Sequence, residues 1–187
     1  MKSSTLLSGL SEDVRKIITS TENEFCSLDD STLNFKRSPE AWSILECFEH
    51  LNRYNRFYNK EFEKALANSR HRIASLEARS TWLGRKFIRM MHPDTIKKSK
   101  TLKHMNPVNS ELDETVIDEF LGHQHELLQI LNEARNHDLN KIKIQVEFFR
   151  LLKMNLGDAL QFVIVHQQRH LIQARQALIS REPALIV

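Results

Sequence analysis

Two histidines near the C-terminal end of the chain, His166 and His170, have the spacing that most directly suggests chemistry. On an α-helix, residues four apart lie on one face, so the two imidazoles would stand one turn apart. Small and apolar residues fall on or beside that face at helical spacing: Ala159, Phe162, Val163, Ala174 and Ala177. The face therefore points into a core. There, a pair of imidazoles either shares a divalent metal ion or is satisfied by ordinary hydrogen bonds.

A catalytic metal site needs a third protein ligand, because one helix supplies only two at this spacing. Of the nine histidines, only His50 lies in the middle of another long predicted helix, on the flank of its apolar stripe. Four others fall in predicted connectors or helix ends: His71, His92, His104 and His137. His123 and His125 are two residues apart and therefore occupy divergent faces of their helix. His50, His166 and His170 are the candidate metal ligands.

The composition indicates a globular protein built mainly from helices. The chain has 187 residues, enough for one domain with a substantial core. Four glycines and four prolines are few, which favours long helices over strands and turns. The net charge of +3 is too small to indicate nucleic-acid binding. No apolar run suits a membrane span or a signal peptide, and two cysteines make no disulfide framework, so we expect a cytoplasmic protein.

Hydrophobic periodicity and helix-start signals predict four long amphipathic helices and one short helix. The long helices are predicted over residues 6–26, 43–66, 111–135 and 155–180, and the short one over 82–91. Ser43 and Glu46 have the spacing of a capping box, and Asn155 with Asp158 is a typical helix start. Four such helices joined by long connections predict an all-α, four-helix bundle. We expect one domain over residues 1–187, with its core at about 6–180 and a loose tail at 181–187.

Two connections are harder to interpret. Residues 136–154 begin with an alternating apolar pattern typical of an extended segment, and a helical turn is predicted over 148–153. Residues 84–106 contain seven basic residues and one acid. That segment is either a solvated connector or a loop that faces an anion.

Two stretches of the sequence carry a family resemblance. Residues 42–51, which read Trp-Ser-Ile-Leu-Glu-Cys-Phe-Glu-His-Leu, and residues 160–173, which contain His166-Gln-Gln-Arg-His170, resemble the two signatures of the DinB-like superfamily. Its members are damage-inducible four-helix proteins, also called YfiT-like metal-dependent hydrolases. The resemblance implies an up-down-down-up bundle, a divalent metal site formed by His50, His166 and His170, and often a homodimer. Characterised relatives include thiol S-transferases that use bacillithiol or mycothiol, and a maleylpyruvate isomerase.

Three neutral imidazoles would leave the charge of a divalent ion uncompensated, so that a water or a thiol at its open position would lose a proton readily. A zincin-type peptidase is excluded, since Gln167 stands where that motif has its glutamate. Tyr54, one turn after His50, could line the open position as an acid or could be a core tyrosine. Arg169 could hold an anionic substrate or form a surface ion pair.

Two further residues near His50 have simpler explanations. Glu46 could orient a ligand or act as a base, but the capping box is the favoured role. Cys47 could be a soft ligand, but a small buried hydrophobe is the favoured role.

The sequence therefore predicts an enzyme that binds zinc, nickel or iron and a small-molecule substrate, with a thiol S-transferase as the best assignment. A metal-dependent hydrolase and a non-catalytic metal-binding or stress-related interaction module are the alternatives.

Overall fold

The structure is a computed structural model that describes residues 1–95, 101–108, 110–147 and 149–181. Part of the basic segment, including Lys97, Lys98 and Lys100, lies outside the described residues, as does the predicted loose tail beyond Arg181. The helices are α1 (Ser3–Glu24), α2 (Asp30–Leu33), α3 (Ile44–Ala67), α4 (Trp82–Met91), α5 (Thr115–Glu133) and α6 (Leu156–Ile179). Two 3₁₀ turns (Lys103–Met105 and Ala134–Asn136) and the strands β1 (Lys143–Val146) and β2 (Phe149–Asn155) complete the fold.

The four long helices α1, α3, α5 and α6 form a four-helix bundle. Helix α3 packs against both α5 and α6, and α1 packs against the same two helices, so α1 and α3 lie on opposite corners. The connection from α3 to α5 carries α4, which packs on α6, and the connection from α5 to α6 carries the hairpin. The prediction of an all-α bundle with long crossovers is confirmed. Within the described residues, no helix has the length and apolar character needed to cross a membrane.

Contacts between named residues give the directions of the helices. Helix α5 is parallel to α3, because the Asn52 amide donates to the Val116 carbonyl at 2.8 Å and the Asn59 amide donates to the His123 carbonyl at 3.1 Å. Helix α6 is antiparallel to α3, as further paired contacts show: Tyr58 with Phe162 and Asn55 with Gln167.

Helix α1 completes the arrangement. It runs parallel to α6, since Leu6 lies beside Gly157 at one end and Glu24 pairs with Arg175 at the other. The order is therefore up, down, down, up along the chain, as the family resemblance implied.

Capping residues determine where the two site-bearing helices begin. At the start of α3, the Glu46 amide donates to the Ser43 hydroxyl at 3.1 Å and the Ser43 amide donates to the Glu46 carboxylate at 2.9 Å. At the start of α6, the Asp158 amide donates to the Asn155 side chain at 2.7 Å. Both predicted caps are confirmed. A cap satisfies amides that would otherwise lack partners, so it favours one starting residue for each helix.

The crossover before α6 differs from the prediction. Of the helical turn expected over residues 148–153, residue 148 lies outside the described residues. Over 149–153 the prediction is wrong, because β2 pairs with β1 in an antiparallel hairpin that has an irregularity between Gln145 and Val146. Ile144 and Met154 face each other in this register and both are buried, while Leu151 is exposed. Burial of alternate residues against the bundle therefore favours strands over a helical turn.

A close contact joins α4 to α6. The buried Asp158 carboxylate accepts hydrogen bonds from the Ser80 hydroxyl at 2.5 Å and from both the amide and the hydroxyl of Thr81 at 2.9 Å. Gly84 lies directly against this carboxylate, and a methyl group at that position would overlap it. The glycine is needed here for close approach between two elements.

Candidate metal centre

The three predicted histidines come together at the interface between α3 and α6. One ring nitrogen from each of His50, His166 and His170 lies within 4.8 Å of the other two. The Nε2 atoms of His50 and His166 are 3.3 Å apart. The three side chains are buried, with exposed fractions of 2%, 4% and 9%. The antiparallel packing of α3 on α6 creates this cluster, since 116 residues separate His50 from His166.

This spacing fits a common divalent ion. Two nitrogens that each lie about 2.0–2.1 Å from a zinc ion at a tetrahedral angle are about 3.3 Å apart. The Nε2 atoms of His50 and His166 have that separation, 3.3 Å. The donor set, three imidazoles, suits zinc, nickel and iron alike. The cluster could therefore hold a divalent metal ion, and the residues present fit several metals.

The protonation state of His50 follows from its partner. Its Nδ1 lies 2.7 Å from the backbone carbonyl oxygen of Met105. A carbonyl can only accept, so Nδ1 carries the proton, and in a neutral ring Nε2 then keeps its lone pair. Burial lowers the pKa of His50 to about 4, so the ring is neutral near pH 7.

The other two rings are neutral for similar reasons. Burial, followed by the repulsion that a protonated His170 would exert, holds the pKa of His166 well below its usual range. Burial, followed by His50, does the same for the pKa of His170. Nδ1 of His170 is buried without a hydrogen-bond partner among the described residues. All three rings can therefore offer a lone pair to a metal ion without first losing a proton.

Aromatic side chains enclose the histidines. The Trp42 ring stacks on the His170 ring, with centroids 5.7 Å apart and planes 22° apart, and lies 4.8 Å from the His50 ring. The Tyr54 ring lies 4.9 Å from the His50 ring and 4.6 Å from the His166 ring. Burial and then the charge of Glu147 raise the pKa of Tyr54 to about 12, so its hydroxyl keeps its proton at neutral pH.

Arg169, the other predicted catalytic residue, has protein partners. Its guanidinium donates to the backbone carbonyls of Met90 at 3.4 Å and Thr95 at 3.1 Å, and so fastens α6 to the end of α4. Binding of an anionic substrate by Arg169 stays a prediction. Beside it, the Gln167 side chain donates to the Asn55 side chain at 2.9 Å within the core.

Glu46 and Cys47 have the simpler roles that were favoured for them. The Glu46 carboxylate closes the capping box and also pairs with Lys36 at 2.9 Å. Cys47 is buried, and this burial raises the pKa of its thiol far above the usual range. Among the described residues, neither belongs to the group whose ligand atoms converge.

Three residues around the centre were not predicted from the sequence: Arg53, Met105 and Glu147. Met105 acts through its backbone carbonyl, for which a sequence carries no signal. Glu147 has a buried side chain whose Oε1 lies 2.5 Å from Nε2 of the His104 ring, while its Oε2 has no partner among the described residues. An acid directly after the alternating apolar residues of β1 was the available signal for Glu147.

Comparison with known proteins agrees with this geometry. The family model described as the DinB superfamily matches residues 16–174, which is 159 of the 187 positions. No curated protein and no solved structure matches the chain significantly. The family match covers α3 and α6 up to Ala174, and so includes all three clustered histidines.

Proposed function

The chain belongs to the DinB superfamily, and from that premise we propose that it is a metal-dependent enzyme whose ion is held by His50, His166 and His170. The observation that carries the proposal is the 3.3 Å separation of two neutral Nε2 atoms in a buried three-histidine cluster. When bound, a divalent ion would lower the pKa of a thiol or a water at its open position. The best-supported reaction is the transfer of a low-molecular-weight thiol to an electrophilic small molecule.

The residues around the centre would have different roles: some bind the metal, some exclude water and one donates a hydrogen bond. His50, His166 and His170 would bind a metal ion as neutral ligands and add no negative charge, which would leave the charge of the ion to favour an anionic sulfur. Trp42 and Tyr54 exclude water from the cluster and strengthen electrostatic interactions there. In the transfer, the sulfur forms a bond to an electrophilic carbon while the leaving group departs with its electron pair. Tyr54, which keeps its proton, is the candidate hydrogen-bond donor to that leaving group, and the proton of the thiol passes to solvent.

The choice of a thiol over water rests on the family resemblance, because three neutral ligands serve either nucleophile. One observation favours a metal-dependent hydrolase as the second candidate. Glu147 presents a buried carboxylate oxygen without a partner among the described residues, and its charge contributes to the raised pKa of Tyr54. A carboxylate near Tyr54 could accept a proton from an attacking water.

Metal analysis and a conjugation assay test the proposal together. The native protein should contain about one divalent ion per chain, and the His170→Ala variant should lose it, because only two ligands remain. His123→Ala is the matched control, since His123 bonds to Glu119 and Glu126 on α5 and lies outside the cluster. With its metal, the native protein should conjugate a low-molecular-weight thiol to a member of an electrophile panel.

Three outcomes would revise the proposal. Ester or amide hydrolysis without conjugation would favour the hydrolase. Metal binding without turnover would favour a non-catalytic metal-binding or interaction module. Absence of metal from the native protein, after supplementation with zinc, nickel and iron, would refute the proposed centre. The homodimer implied by the resemblance is proposed as well, and the mass of the protein in solution tests it.

A further inference from the structure

The carbonyl that orients His50 belongs to a short segment that is fastened by an arginine of α3. The guanidinium of Arg53 donates through one nitrogen to the carbonyl oxygens of His104 at 3.2 Å and Asn106 at 2.9 Å. These two residues flank Met105 on either side. The other terminal nitrogen of Arg53 donates to the Ser110 hydroxyl at 3.3 Å. One side chain thus holds the backbone on both sides of the carbonyl that meets His50.

Arg53 is itself held in place. Its Nε donates to the Glu49 carboxylate at 2.8 Å, and Glu49 is buried with an exposed fraction of 7%. Glu49 immediately precedes His50, and Arg53 follows it by three residues on the same helix. The ligand and the clamp that orients it are therefore built on one turn of α3. A partly buried, charge-assisted pair of this kind fixes the geometry of the guanidinium more firmly than an exposed pair would.

We propose that Arg53 is a positioning residue for the metal centre: it holds the Met105 carbonyl against Nδ1 of His50 and so keeps Nε2 of His50 free to bind the ion. The inference rests on the proposed function, since it assigns Arg53 a role in metal binding. A neutral imidazole can carry its proton on either nitrogen, and only the form protonated at Nδ1 presents a lone pair at Nε2. A carbonyl held in place selects that form before metal arrives.

A second fastening limits the size of the expected effect. The His104 side chain pairs with Glu147, and this contact also holds the 3₁₀ turn Lys103–Met105 to the hairpin side of the bundle. The His104 side chain is 63% exposed and the Glu147 side chain 7%, so only the histidine end of the pair is open to solvent and to salt screening. Loss of Arg53 should therefore loosen the Met105 carbonyl without releasing the turn completely.

The chain offers a matched control for Arg53. Arg56, one turn further along α3, bonds to the same Glu49 carboxylate and to Glu119, but to neither carbonyl of the turn among the described contacts. The variants Arg53→Met and Arg56→Met each remove one guanidinium that pairs with Glu49. Only Arg53→Met removes the contacts to the backbone around Met105.

The test measures two properties of each purified, full-length protein. Nitrogen NMR of the metal-free protein reports which ring nitrogen of His50 carries the proton, and competition with a chelator reports the affinity for zinc. We expect native protein and Arg56→Met to show His50 protonated at Nδ1, with zinc affinities within about twofold of each other. Arg53→Met should show a mixture of the two forms and bind zinc about 10- to 100-fold more weakly, the range typical for loss of a residue that orients a ligand.

The two readouts separate failure of this inference from failure of the proposed function. Unchanged His50 protonation and zinc affinity in Arg53→Met would overturn the inference, as would an equal loss in Arg56→Met. A native protein that binds no zinc, nickel or iron would refute the proposed function. A shift of the His50 proton from Nδ1 to Nε2 in metal-free Arg53→Met would still support the orienting role of Arg53. If Arg53→Met does not fold, Arg53→Lys takes its place, because lysine keeps the charge beside Glu49 but lacks the guanidinium fork.

Discussion

Replacing Gly84 with alanine should destabilise the fold, although alanine is the better helix former. Gly84 lies inside α4, where alanine would ordinarily stabilise a helix by about 1 kcal/mol relative to glycine. Here the added methyl would overlap the Asp158 carboxylate. That carboxylate cannot swing away freely, because it accepts hydrogen bonds from Ser80 and Thr81 and is buried.

The change in the free energy of unfolding depends on which group moves to make room for the methyl. Either α4 moves off α6, at an overpacking cost of about 1–3 kcal/mol, or Asp158 rotates and loses hydrogen bonds to a charged group at about 1.5–3 kcal/mol each. The cheaper route is overpacking, and after the gain of about 1 kcal/mol in helix propensity the net destabilisation should reach up to about 2 kcal/mol. The steric and hydrogen-bond losses therefore outweigh the propensity gain.

Urea denaturation followed by circular dichroism measures this change in the free energy of unfolding. Gly122→Ala is the matched control, since Gly122 lies inside α5 and, apart from its chain neighbours and the backbone of its own helix, no described atom lies within 4 Å of the added methyl. That variant should be more stable than the native protein by about 1 kcal/mol. If Gly84→Ala were stabilised as much as Gly122→Ala, the close contact between α4 and Asp158 would be refuted.

Two further predictions concern the centre. Tyr54→Phe should lower turnover about 10- to 100-fold and leave metal content unchanged, because the ring is kept and only the hydrogen-bond donor to a charged leaving group is lost; equal turnover would remove Tyr54 from the mechanism. In metal-free protein, the free energy of unfolding should fall as the pH drops from about 6.5 towards about 4, since burial lowers the folded-state pKa of His50 to about 4 and the unfolded chain then binds more protons. Between pH 7 and pH 5, protonation of His50 in the unfolded chain should lower the free energy of unfolding by about 2 kcal/mol. Urea denaturation of the native protein and of His50→Gln measures this contribution. The variant has no titrating group at position 50, so its free energy of unfolding should fall by about 2 kcal/mol less over the same pH range.

Local patterns in the sequence were sufficient for the helices that carry the site. The capping box at Ser43 and the Asn155 cap depend on residues three apart, and the His166–His170 pair depends on the period of a single helix. Such interactions lie within one or two turns, so residue order alone decides them. The choice of His50 as the third ligand also came from its place on an amphipathic face.

Interactions between distant segments could not be predicted from such local patterns. The strand β2 replaces the predicted helical turn because it finds a partner in β1 and a surface to bury Met154 against. The connection before α5 brings the Met105 carbonyl to His50 across 55 residues, and Arg53 recognises that segment by its backbone, whose carbonyls look alike at every position. The sequence by itself determined the helices and the residue types that could bind a metal. Only the tertiary structure decided how close the three rings lie and which groups orient them, because both depend on packing between segments that are remote in the chain.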